Sequence, residues 1–337
     1  MHRVADQIVE ILEKAGVKRI YGIVGDSLNP VTDALRRRKT IEWIHVRHEE
    51  VAAFAASAEA QLSGNLAVCC GSSGPGNIHL INGLFDAHRN HAPVLAIASH
   101  IPQSQVGMEY FQATHPEQLF KECSAYAELV SEASQAPSIL MSAIQHAWAR
   151  RDVGVVVLPG DIADAPAEMK NLVHPPSYTR ENVVPEHESV SLLARMLDDH
   201  RRITFFCGAG CAGAEDKVVR LAHRLKAPIA YTWRGKDYFE HDNPLGIGMT
   251  GLLGWGDAYK AMHESDMLVL WGTDFPYFNF IPTKPEIVQI DRRGEVLGRR
   301  CRLDLGICGD VSVTAEALLN MVQEKTDSGH LDAALKR

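Results

Sequence analysis

The acidic residue Glu49 is the first candidate for chemistry in this sequence. It lies in the stretch VRHEEVAAFAASAEAQLSG, residues 46–64, where His48 and two glutamates precede a run of alanines and other small residues. An acid in the first turn of a helix is stabilised by the helix dipole, so a purely structural role is one interpretation. The small residues indicate that something packs closely against this helix, and a flat ring or a helix of another subunit would both fit.

A glycine-rich loop is the second candidate. The strand LAVCC runs into GSSGPGN, residues 71–77, and a helix follows. Glycines permit positive φ angles and close approach of a ligand to the backbone, and a helix N-terminus offers unpaired N–H groups. Ligands of open α/β sheets bind at the carboxyl ends of the strands. We therefore predict a ligand loop, with a plain tight turn as the alternative.

A GxGxxG pattern occurs at Gly208, Gly210 and Gly213, again between a strand and a helix. The nicotinamide-binding version requires an acid about 20 residues further on, at the end of the next strand, to bind a ribose. Here that place holds the segment Thr232–Arg234 instead. The pattern therefore disfavours NAD, while a nucleotide or its phosphates stays open as a ligand.

No spacing typical of a metal site occurs in the sequence. HEEVA at His48 begins like a zinc-protease motif but has Ala52 where the second histidine would stand, and His88 and His91 form a pair without a third ligand nearby. The seven cysteines form no CxxC pair. Their odd number, without a secretory signal, favours reduced thiols in a cytoplasm. We expect no metal ligands among these residues.

Composition and charge limit the class of protein. A chain of 337 residues is long enough for two domains, and a net charge of −8 gives no support to nucleic-acid binding. A local basic group is interpreted as a solvated rim, and its members are Arg292, Arg293, Arg299, Arg300 and Arg302. No run of 18 apolar residues occurs, so we predict no transmembrane helix.

Short apolar strands alternate with helices in both halves of the sequence, a pattern typical of parallel sheets covered on both faces. We predict an α/β fold of two doubly wound domains with mainly parallel sheets. Ser27 is predicted to cap the helix that begins near it. The predicted boundaries are a first domain at 1–163, a proline-rich linker at 164–188, a second domain at 189–325 and a linker stub at 326–337.

Long ordered segments of the sequence resemble the thiamine-diphosphate-dependent enzymes, and within them pyruvate oxidase and the quinone-linked pyruvate dehydrogenase of bacteria. The segments that carry the resemblance include GVKRIYGIVGDSLNPVTDAL, IEWIHVRHEEVAAFAASAEAQLSG, GSSGPGNIHLINGLFDAHRNHAPVLAIASHIP, EYFQATHPEQLF, VVVLPGD, CGAGCAGA, RGKDYFEHDNPLGIGMTGLLG, GTDFPY and IVQID. The resemblance extends from the N-terminal helix to the region near Lys325.

The resemblance implies a first domain that binds the pyrimidine of thiamine diphosphate and a middle domain that binds FAD. Family members have a third domain, in which a GDG motif and a later asparagine hold Mg²⁺ and the diphosphate. Gly-Asp occurs here at Gly25, Gly160 and Gly309, but never as GDG. We therefore expect residues 1–337 to correspond to the first two domains, without the third, and to be inactive alone.

The resemblance also implies individual site residues. Glu49 matches the glutamate that hydrogen-bonds the pyrimidine ring and promotes proton transfer, a role that requires a water-poor site. Phe111 and Gln112 match the pair that lines the substrate pocket, although Ala113 stands where relatives often have an acid. The implied cofactor-binding residues are, in the first domain, Gly25, Ser73, Gly74, Pro75, Gly76 and Asn77. Those in the second domain are Gly208, Gly210, Gly213, Arg234, Thr250, Gly251, Leu252, Leu253, Thr273, Asp274, Phe275, Pro276, Tyr277 and Asp291.

The function implied by the resemblance is oxidative decarboxylation of pyruvate or a related 2-oxoacid, with FAD passing electrons to a quinone or oxygen. A homodimer or homotetramer is implied, in the cytoplasm, with peripheral membrane attachment of the full-length relative as an alternative. The basic group near Arg292 would then face either solvent or flavin phosphates. An acetolactate synthase, another 2-oxoacid decarboxylase and a non-catalytic nucleotide-binding protein remain alternative functions.

Overall fold

The computed structural model describes residues 2–167, 176–179, 181–254 and 256–337. The chain separates into two compact units, Met1–Arg180 and Glu181–Arg337. Within the described residues, no helix is both long and apolar enough to cross a membrane.

Helices and strands alternate through the first unit. The helices are α1 (Val4–Lys14), α2 (Asn29–Arg38), α3 (Glu49–Ser63), α4 (Pro75–Arg89), α5 (Pro116–Leu119), α6 (Ala136–Arg150) and α7 (Gly160–Asp164). The strands are β1 (Arg19–Gly22), β2 (Glu42–His45), β3 (Ala67–Gly71), β4 (Val94–His100), β5 (Tyr126–Leu129) and β6 (Val153–Pro159). Short 3₁₀ turns lie at Asp26–Leu28, Gln103–Gln105, Lys121–Cys123 and Ala133–Gln135.

The first sheet has the strand order β2-β1-β3-β4-β6-β5, and every neighbouring pair is parallel. In its centre Ile20 lies opposite Val68, and Val94 lies opposite Val153. Because all strands run in the same direction, the loops that follow them meet at one edge of the sheet.

Both faces of the first sheet are covered. Alternate strand residues point to opposite faces, so Val68 packs with α1, α2 and α6 while Cys69 packs with α3 and α4. Helices α3 and α4 pack so closely that a Cβ added to Gly83 on α4 would lie only 2.6 Å from the Cβ of Ala53 on α3. The neighbour indicated by the small residues of α3 is therefore, on this face, a helix of the same unit.

The second unit repeats the alternation. Its helices are α8 (His187–Asp199), α9 (Glu215–Leu225), α10 (Lys236–Phe239), α11 (Gly256–Glu264), α12 (Val311–Leu319) and α13 (Gly329–Leu335). Its strands are β7 (Ile203–Cys207), β8 (Ile229–Tyr231), β9 (Gly246–Met249), β10 (Met267–Trp271), β11 (Glu286–Asp291) and β12 (Leu305–Cys308). The 3₁₀ turns are Ala209–Cys211, Trp233–Gly235, Phe278–Phe280 and Gly294–Val296.

The second sheet has the strand order β12-β11-β10-β7-β8-β9, and its pairs are also parallel. Neighbouring residues of β7 serve opposite faces: Phe205 packs in the core under α8, α9 and α12, and Phe206 packs in the core under α11. The predicted fold class, two doubly wound α/β units with parallel sheets, is confirmed.

Two local predictions are wrong. Ser27 does not cap α2, whose cap position is Leu28 without a side-chain hydrogen bond. The tail 326–337 is not a linker stub, because it contains α13, in which Leu331 and Ala334 are buried. These two apolar residues stand three positions apart and so share one face of a helix. The ring of His330 also contacts Thr204 Oγ1 at 2.9 Å, which ties the tail to β7.

The predicted linker 164–188 lies partly outside the described residues, since 168–175 and Arg180 are not among them. Its last part belongs to the second unit. The backbone N–H of Val183 donates to Asp310 at 2.7 Å, Pro185 packs against Gly309, and α8 already begins at His187.

Candidate functional site

Glu49 is the first residue of α3 and follows the carboxyl end of β2. His48 precedes it as the N-cap, and its Nδ1 accepts a hydrogen bond from the backbone N–H of Glu50 at 3.2 Å. The side chain of Glu49 is nevertheless buried, with only 8% of the residue exposed. The positive end of the helix dipole stabilises a carboxylate in this position. The site therefore combines a charged group with limited access to water.

The two oxygens of Glu49 have different surroundings. Oε2 lies 3.0 Å from Nδ1 of His79, on the first turns of α4. Oε1 lies 3.2 Å from the place that a Cβ on Gly76 would occupy, and it accepts no hydrogen bond from the part of the chain that the structure describes. His79 thus fixes one oxygen, and the glycine keeps the approach to the other clear.

The glycine-rich loop is held against the loop that follows β1. Ser27 Oγ lies 3.0 Å from Ser72 Oγ and accepts a hydrogen bond from the backbone N–H of Ser73 at 3.1 Å. Glycine is required at position 25 for this approach, because a Cβ there would lie 2.3 Å from Ser72 Oγ. Gly25 and the loop 71–77 therefore lie together, and Ser27 is the side chain that joins them.

Gln112 also meets the glycine-rich loop. Ser73 Oγ donates to Gln112 Oε1 at 2.9 Å, and a Cβ on Gly74 would lie 3.1 Å from Gln112. Gly74 has a φ of +69°, which favours glycine. Phe111 beside it is 80% exposed. The structure thus places Gln112 firmly at this edge, while the ring of Phe111 projects into solvent.

Asn77 and Pro75 occupy contrasting positions. Asn77 is completely buried, and its Nδ2 donates to the carbonyl oxygen of Ser99 at the end of β4 at 2.7 Å. This bond attaches the start of α4 to the sheet, so a direct contact of Asn77 with a ligand stays a prediction. Pro75 is exposed at the first position of α4, where a missing N–H costs no helical hydrogen bond.

Sequence reasoning missed His79 and His100. His79 could have been found, because it is the titratable residue closest after the glycine-rich loop in the helix that follows. His100 ends β4 with 3% of its surface exposed, and its Nδ1 has no hydrogen-bond partner within the described residues. Burial lowers the pKa of His100, so the neutral ring is favoured.

The predicted glycines of the second unit serve mainly to bring two loops together. A Cβ on Gly208 would lie 2.6 Å from the carbonyl oxygen of Gly272, and one on Gly210 would lie 2.7 Å from the Cα of Gly272. Gly213 differs, since its φ is +75° and the space beside it is open. The first two glycines of the GxGxxG pattern are thus explained by contact between the loops after β7 and β10.

The segments Thr250–Leu253 and Thr273–Tyr277 follow β9 and β10 at the same edge of the second sheet. They meet where a Cβ on Gly251 would lie 3.0 Å from the ring of Phe275. Thr250 is buried, yet its Oγ1 has no partner among residues that the structure describes. Several apolar side chains at this edge are exposed instead, namely Trp233, Leu252, Leu253, Tyr277 and Phe278.

Two predicted acids of the second unit are held by arginines. Asp274 accepts hydrogen bonds from Arg299 at 3.1 Å and Arg300 at 3.0 Å. Asp291 is buried and accepts a hydrogen bond from the backbone N–H of Arg293 at 3.0 Å. Burial raises the pKa of Asp291 despite this bond. Three members of the basic group thus bind acids of the same unit, which favours neither a free cationic rim nor an open phosphate site.

Arg234 and Pro276 complete the predicted residues. Arg234 is partly buried in the 3₁₀ turn after β8, and this turn lies against β7, because a Cβ on Gly235 would lie 2.4 Å from the carbonyl oxygen of Cys207. Pro276 is exposed beside Tyr277. The structure therefore gathers the predicted residues of the second unit at one edge of its sheet.

Fold and sequence together define an α/β protein of two doubly wound units, each with its candidate residues at the carboxyl edge of its sheet. Two family models match it: the thiamine pyrophosphate enzyme N-terminal TPP binding domain, at residues 2–120, and the thiamine pyrophosphate enzyme central domain, at residues 190–318. The chain belongs to the thiamine pyrophosphate enzyme family.

Three relatives extend the comparison. An uncharacterized 42.6 kDa protein in the isoamylase 3′ region of Pseudomonas amyloderamosa is 56% identical over 334 residues, which is 99% of this chain and 84% of that protein. YdaP of Bacillus subtilis, named as a thiamine pyrophosphate-containing protein, is 34% identical over 98% of this chain and 58% of its own length. Pyruvate oxidase of Lactiplantibacillus plantarum is 32% identical over 94% of this chain and 54% of its own length. The chain thus spans little more than half of the last two relatives.

Proposed function

We propose that the first unit binds the pyrimidine half of thiamine diphosphate at Glu49, in a protein that oxidatively decarboxylates pyruvate or a related 2-oxoacid. The observation that carries the proposal is the buried Glu49 carboxylate, with one oxygen fixed by His79 and the other beside Gly76. Family membership and the similarity to a pyruvate oxidase support it.

The residues around Glu49 fit the flat ring of the cofactor. A side chain at position 76 would fill the space next to Oε1, and glycine leaves that space clear. A bound thiamine diphosphate supplies the electron sink for decarboxylation. With the cofactor bound, Glu49 would share a proton with a ring nitrogen, and its burial at a helix start would keep that proton away from bulk water. His79 holds the carboxylate in one orientation, because it contacts only Oε2.

Ser73 and Gln112 are proposed to position the 2-oxoacid beside Glu49. Gln112 is fixed through Ser73, and its amide N–H₂ can donate to a carboxylate or keto oxygen of the substrate. Phe111, which is exposed, is proposed to cover the substrate pocket in the assembled enzyme.

The second unit is proposed to bind FAD at the carboxyl edge of its sheet. The unpartnered Thr250 Oγ1 offers a hydrogen-bonding group there, and the exposed side chains of Leu252 and Tyr277 offer apolar surface to a flat ring. Flavin would pass electrons to a quinone or to oxygen as the acceptor. Asp274 and its two arginines are proposed to hold the loop after β10 in the binding conformation.

A second copy of the chain is the proposed partner of α3 and α4. Val51, Phe54 and Ile78 on these adjacent helices are 51%, 39% and 49% exposed, so they offer apolar surface that a second copy could cover. A homodimer or homotetramer would cover them. We expect sedimentation analysis to give a dimer or tetramer, and Phe54→Glu to shift the protein towards the monomer.

The test of the proposed function is cofactor binding followed by turnover. Residues 1–337 should bind FAD, detected by bound-flavin absorbance, and should bind thiamine diphosphate weakly, detected by calorimetry, without turnover of their own. In a longer protein that joins them to a diphosphate-binding domain of this family, pyruvate should release carbon dioxide while a quinone analogue or oxygen is reduced. Acetolactate formation without reduction of an acceptor would favour an acetolactate synthase, and binding of neither cofactor would contradict the proposal.

A further inference from the structure

Three metal-ligating side chains meet at the edge of the first sheet. One donor atom each from His48, Glu49 and His79 lies within 4.8 Å of the other two. Two imidazoles and one carboxylate form the ligand set of many catalytic zinc sites and of iron sites of the facial-triad type. No sequence spacing revealed this set, because His79 stands 30 residues after Glu49 on another helix.

We propose that His48, Glu49 and His79 form a binding site for Zn²⁺. One consequence rests on the proposed function. Zn²⁺ would bind the same Glu49 carboxylate that is proposed to contact the pyrimidine, so Zn²⁺ and thiamine diphosphate would compete for the site.

The distances are close to those of a zinc site. Zn–N bonds of about 2.0–2.1 Å and Zn–O bonds of about 2.0–2.2 Å place tetrahedral ligand atoms roughly 3.3 Å apart. The pair His79 Nδ1 and Glu49 Oε2, at 3.0 Å, is already near that separation. The imidazoles of His48 and His79 stack with their centroids 4.2 Å apart and an angle of 28° between them. Rotation of the two side chains, which are 45% and 42% exposed, would close the remaining gap.

A second acid can orient the His48 ring. Without metal, Nδ1 of His48 accepts the N–H of Glu50. If His48 binds the metal through Nε2, its Nδ1 must carry the proton. Glu50 Oε2 lies 3.8 Å from Nδ1 and could accept a hydrogen bond from that N–H after a small movement. Histidines that bind metals usually donate their second ring N–H to such a carboxylate. The change of tautomer costs one capping bond, about 1 kcal/mol, which is small beside the binding energies of zinc sites.

The chemistry of the ligands selects the metal. Imidazole suits Zn²⁺ and its neighbours, whereas Mg²⁺ prefers oxygen ligands in octahedral geometry. The exposed sides of both rings give the ion a path from solvent, and the buried Glu49 supplies a negative charge. The Mg²⁺ that accompanies the diphosphate in the proposed function would therefore not occupy this site.

Zn²⁺ affinity of the metal-stripped protein, measured by competition with a chromogenic chelator, tests the site. We expect one Zn²⁺ per chain and no measurable Mg²⁺ competition. His79→Ala and His48→Asn should each weaken Zn²⁺ binding by about tenfold or more. Asparagine is itself a good N-cap, so His48→Asn keeps the start of α3. Circular dichroism checks that each variant is folded.

Two matched controls exclude other ligands. His88 lies on the same helix as His79 and is paired with Asp152 at 2.7 Å, and Cys308 is an exposed free thiol. His88→Ala and Cys308→Ser should leave Zn²⁺ affinity unchanged. The site is refuted if His79→Ala and His48→Asn also leave it unchanged.

A second titration separates the metal site from the proposed function. Thiamine diphosphate should lower the apparent Zn²⁺ affinity in proportion to its own occupancy. One outcome would contradict both the predicted competition and the placement of the pyrimidine at Glu49. It is Zn²⁺ binding that requires His48 and His79 but does not weaken when thiamine diphosphate is bound. Failure to bind either thiamine diphosphate or FAD, with Zn²⁺ binding intact, would overturn only the proposed function.

Discussion

The carboxyl edges of the two sheets have the same topology and different chemistry. In the first unit the loops close around one buried carboxylate, Glu49, and a small set of hydroxyl and amide hydrogen bonds. In the second unit the loops close through a glycine contact, between Gly210 and Gly272, and through an acid, Asp274, held by two arginines. A doubly wound sheet therefore determines where a ligand site lies, and the loops determine what it can do.

The exposed surface of the two edges differs in the same sense. The first edge hides its acid and leaves Phe111 outside, whereas the second edge buries its hydroxyl, Thr250, and presents Leu252 and Trp233 to solvent. The first arrangement suits proton transfer in a protected place, and the second suits binding of a large flat molecule. If this contrast is correct, variants at one edge should leave the properties of the other unchanged.

The largest expected effect comes from Glu49→Gln, which keeps the shape of the side chain and removes its proton transfer. In a longer protein that also carries a diphosphate-binding domain of this family, we expect 2-oxoacid turnover to fall by about 10²- to 10⁴-fold, with FAD binding unchanged. Glu50→Gln is the matched control, because Glu50 is the next residue of the same helix turn and contacts Asn82 instead of His79. Equal losses in both variants would show that charge at the helix start, and no specific role of Glu49, supports turnover.

The next largest effect is expected from the glycine contact of the second unit. Gly210→Ala would place a Cβ 2.7 Å from Gly272 Cα and 2.9 Å from its carbonyl oxygen, so we expect a loss of about 1–3 kcal/mol in the free energy of unfolding and weaker flavin binding. Gly213→Ala meets open space and should cost only the strain of its positive φ, about 1 kcal/mol. Chemical denaturation measures both, and a costlier Gly213→Ala would contradict the packing argument.

These glycines show what a sequence can and cannot reveal. Their location between strand and helix predicted a ligand loop, but a partner such as Gly272, about 60 residues away, becomes visible only in the fold. Continuous apolar runs such as LAVCC identify the interior strands in the sequence. The strands β5, β9 and β12 lie at sheet edges, where fewer neighbours demand apolar residues, so the apolar pattern identifies them less clearly.

The candidate site divides in the same way. The loop 71–77 was predicted from its local glycine pattern, and Glu49 was singled out by the family resemblance. The contacts of Glu49 with His79 and of Ser73 with Gln112 join segments 30 and 39 residues apart, which no local pattern reveals. The tail 326–337 was predicted to be a linker because most of its residues are polar. In the structure, the two buried side chains of Leu331 and Ala334 are enough to attach a short helix to the second unit.

Acid should affect the first unit more than the second. Hydrogen bonds from Arg38 lower the pKa of Glu13, and those from Arg36, Arg3 and Arg37 lower the pKa of Asp33. A carboxylate whose pKa is lower in the folded state stabilises the fold above its ordinary value, 4.5 for Glu and 3.8 for Asp, and this contribution is lost as the pH falls through the folded value. The first unit should therefore lose stability progressively below about pH 4.5.

The second unit has a compensating acid. Burial raises the pKa of Asp291, so protonation in acid removes the cost of burying its charge and stabilises the second unit. A hydrogen bond from Arg337 lowers the pKa of Glu264, and protonation of that residue destabilises the same unit. Burial lowers the pKa of His100 in the first unit and of His330 in the second, which weakens both units below about pH 6.5. Hydrogen exchange along a series from pH 7 to pH 3 should show amides of the first unit opening at the higher pH, and the reverse order would contradict the comparison.

The smallest expected effect tests how the first edge holds its substrate residue. Ser73→Ala removes the hydroxyl that donates to Gln112 Oε1, while the backbone N–H of Ser73 still donates to Ser27, so the loop should keep its course at a cost of about 1 kcal/mol or less. If Gln112 orients the 2-oxoacid, KM in the same longer protein should rise severalfold with little change in kcat. Ser72→Ala is the matched control, because Ser72 contacts Ser27 and makes no hydrogen bond to Gln112 in the part of the chain described here. The temperature of thermal unfolding should then fall by a similar amount in both variants, and KM should change only in Ser73→Ala. An equal rise of KM in the two variants would mean that the loop as a whole, and no specific hold on Gln112, sets substrate affinity at this edge.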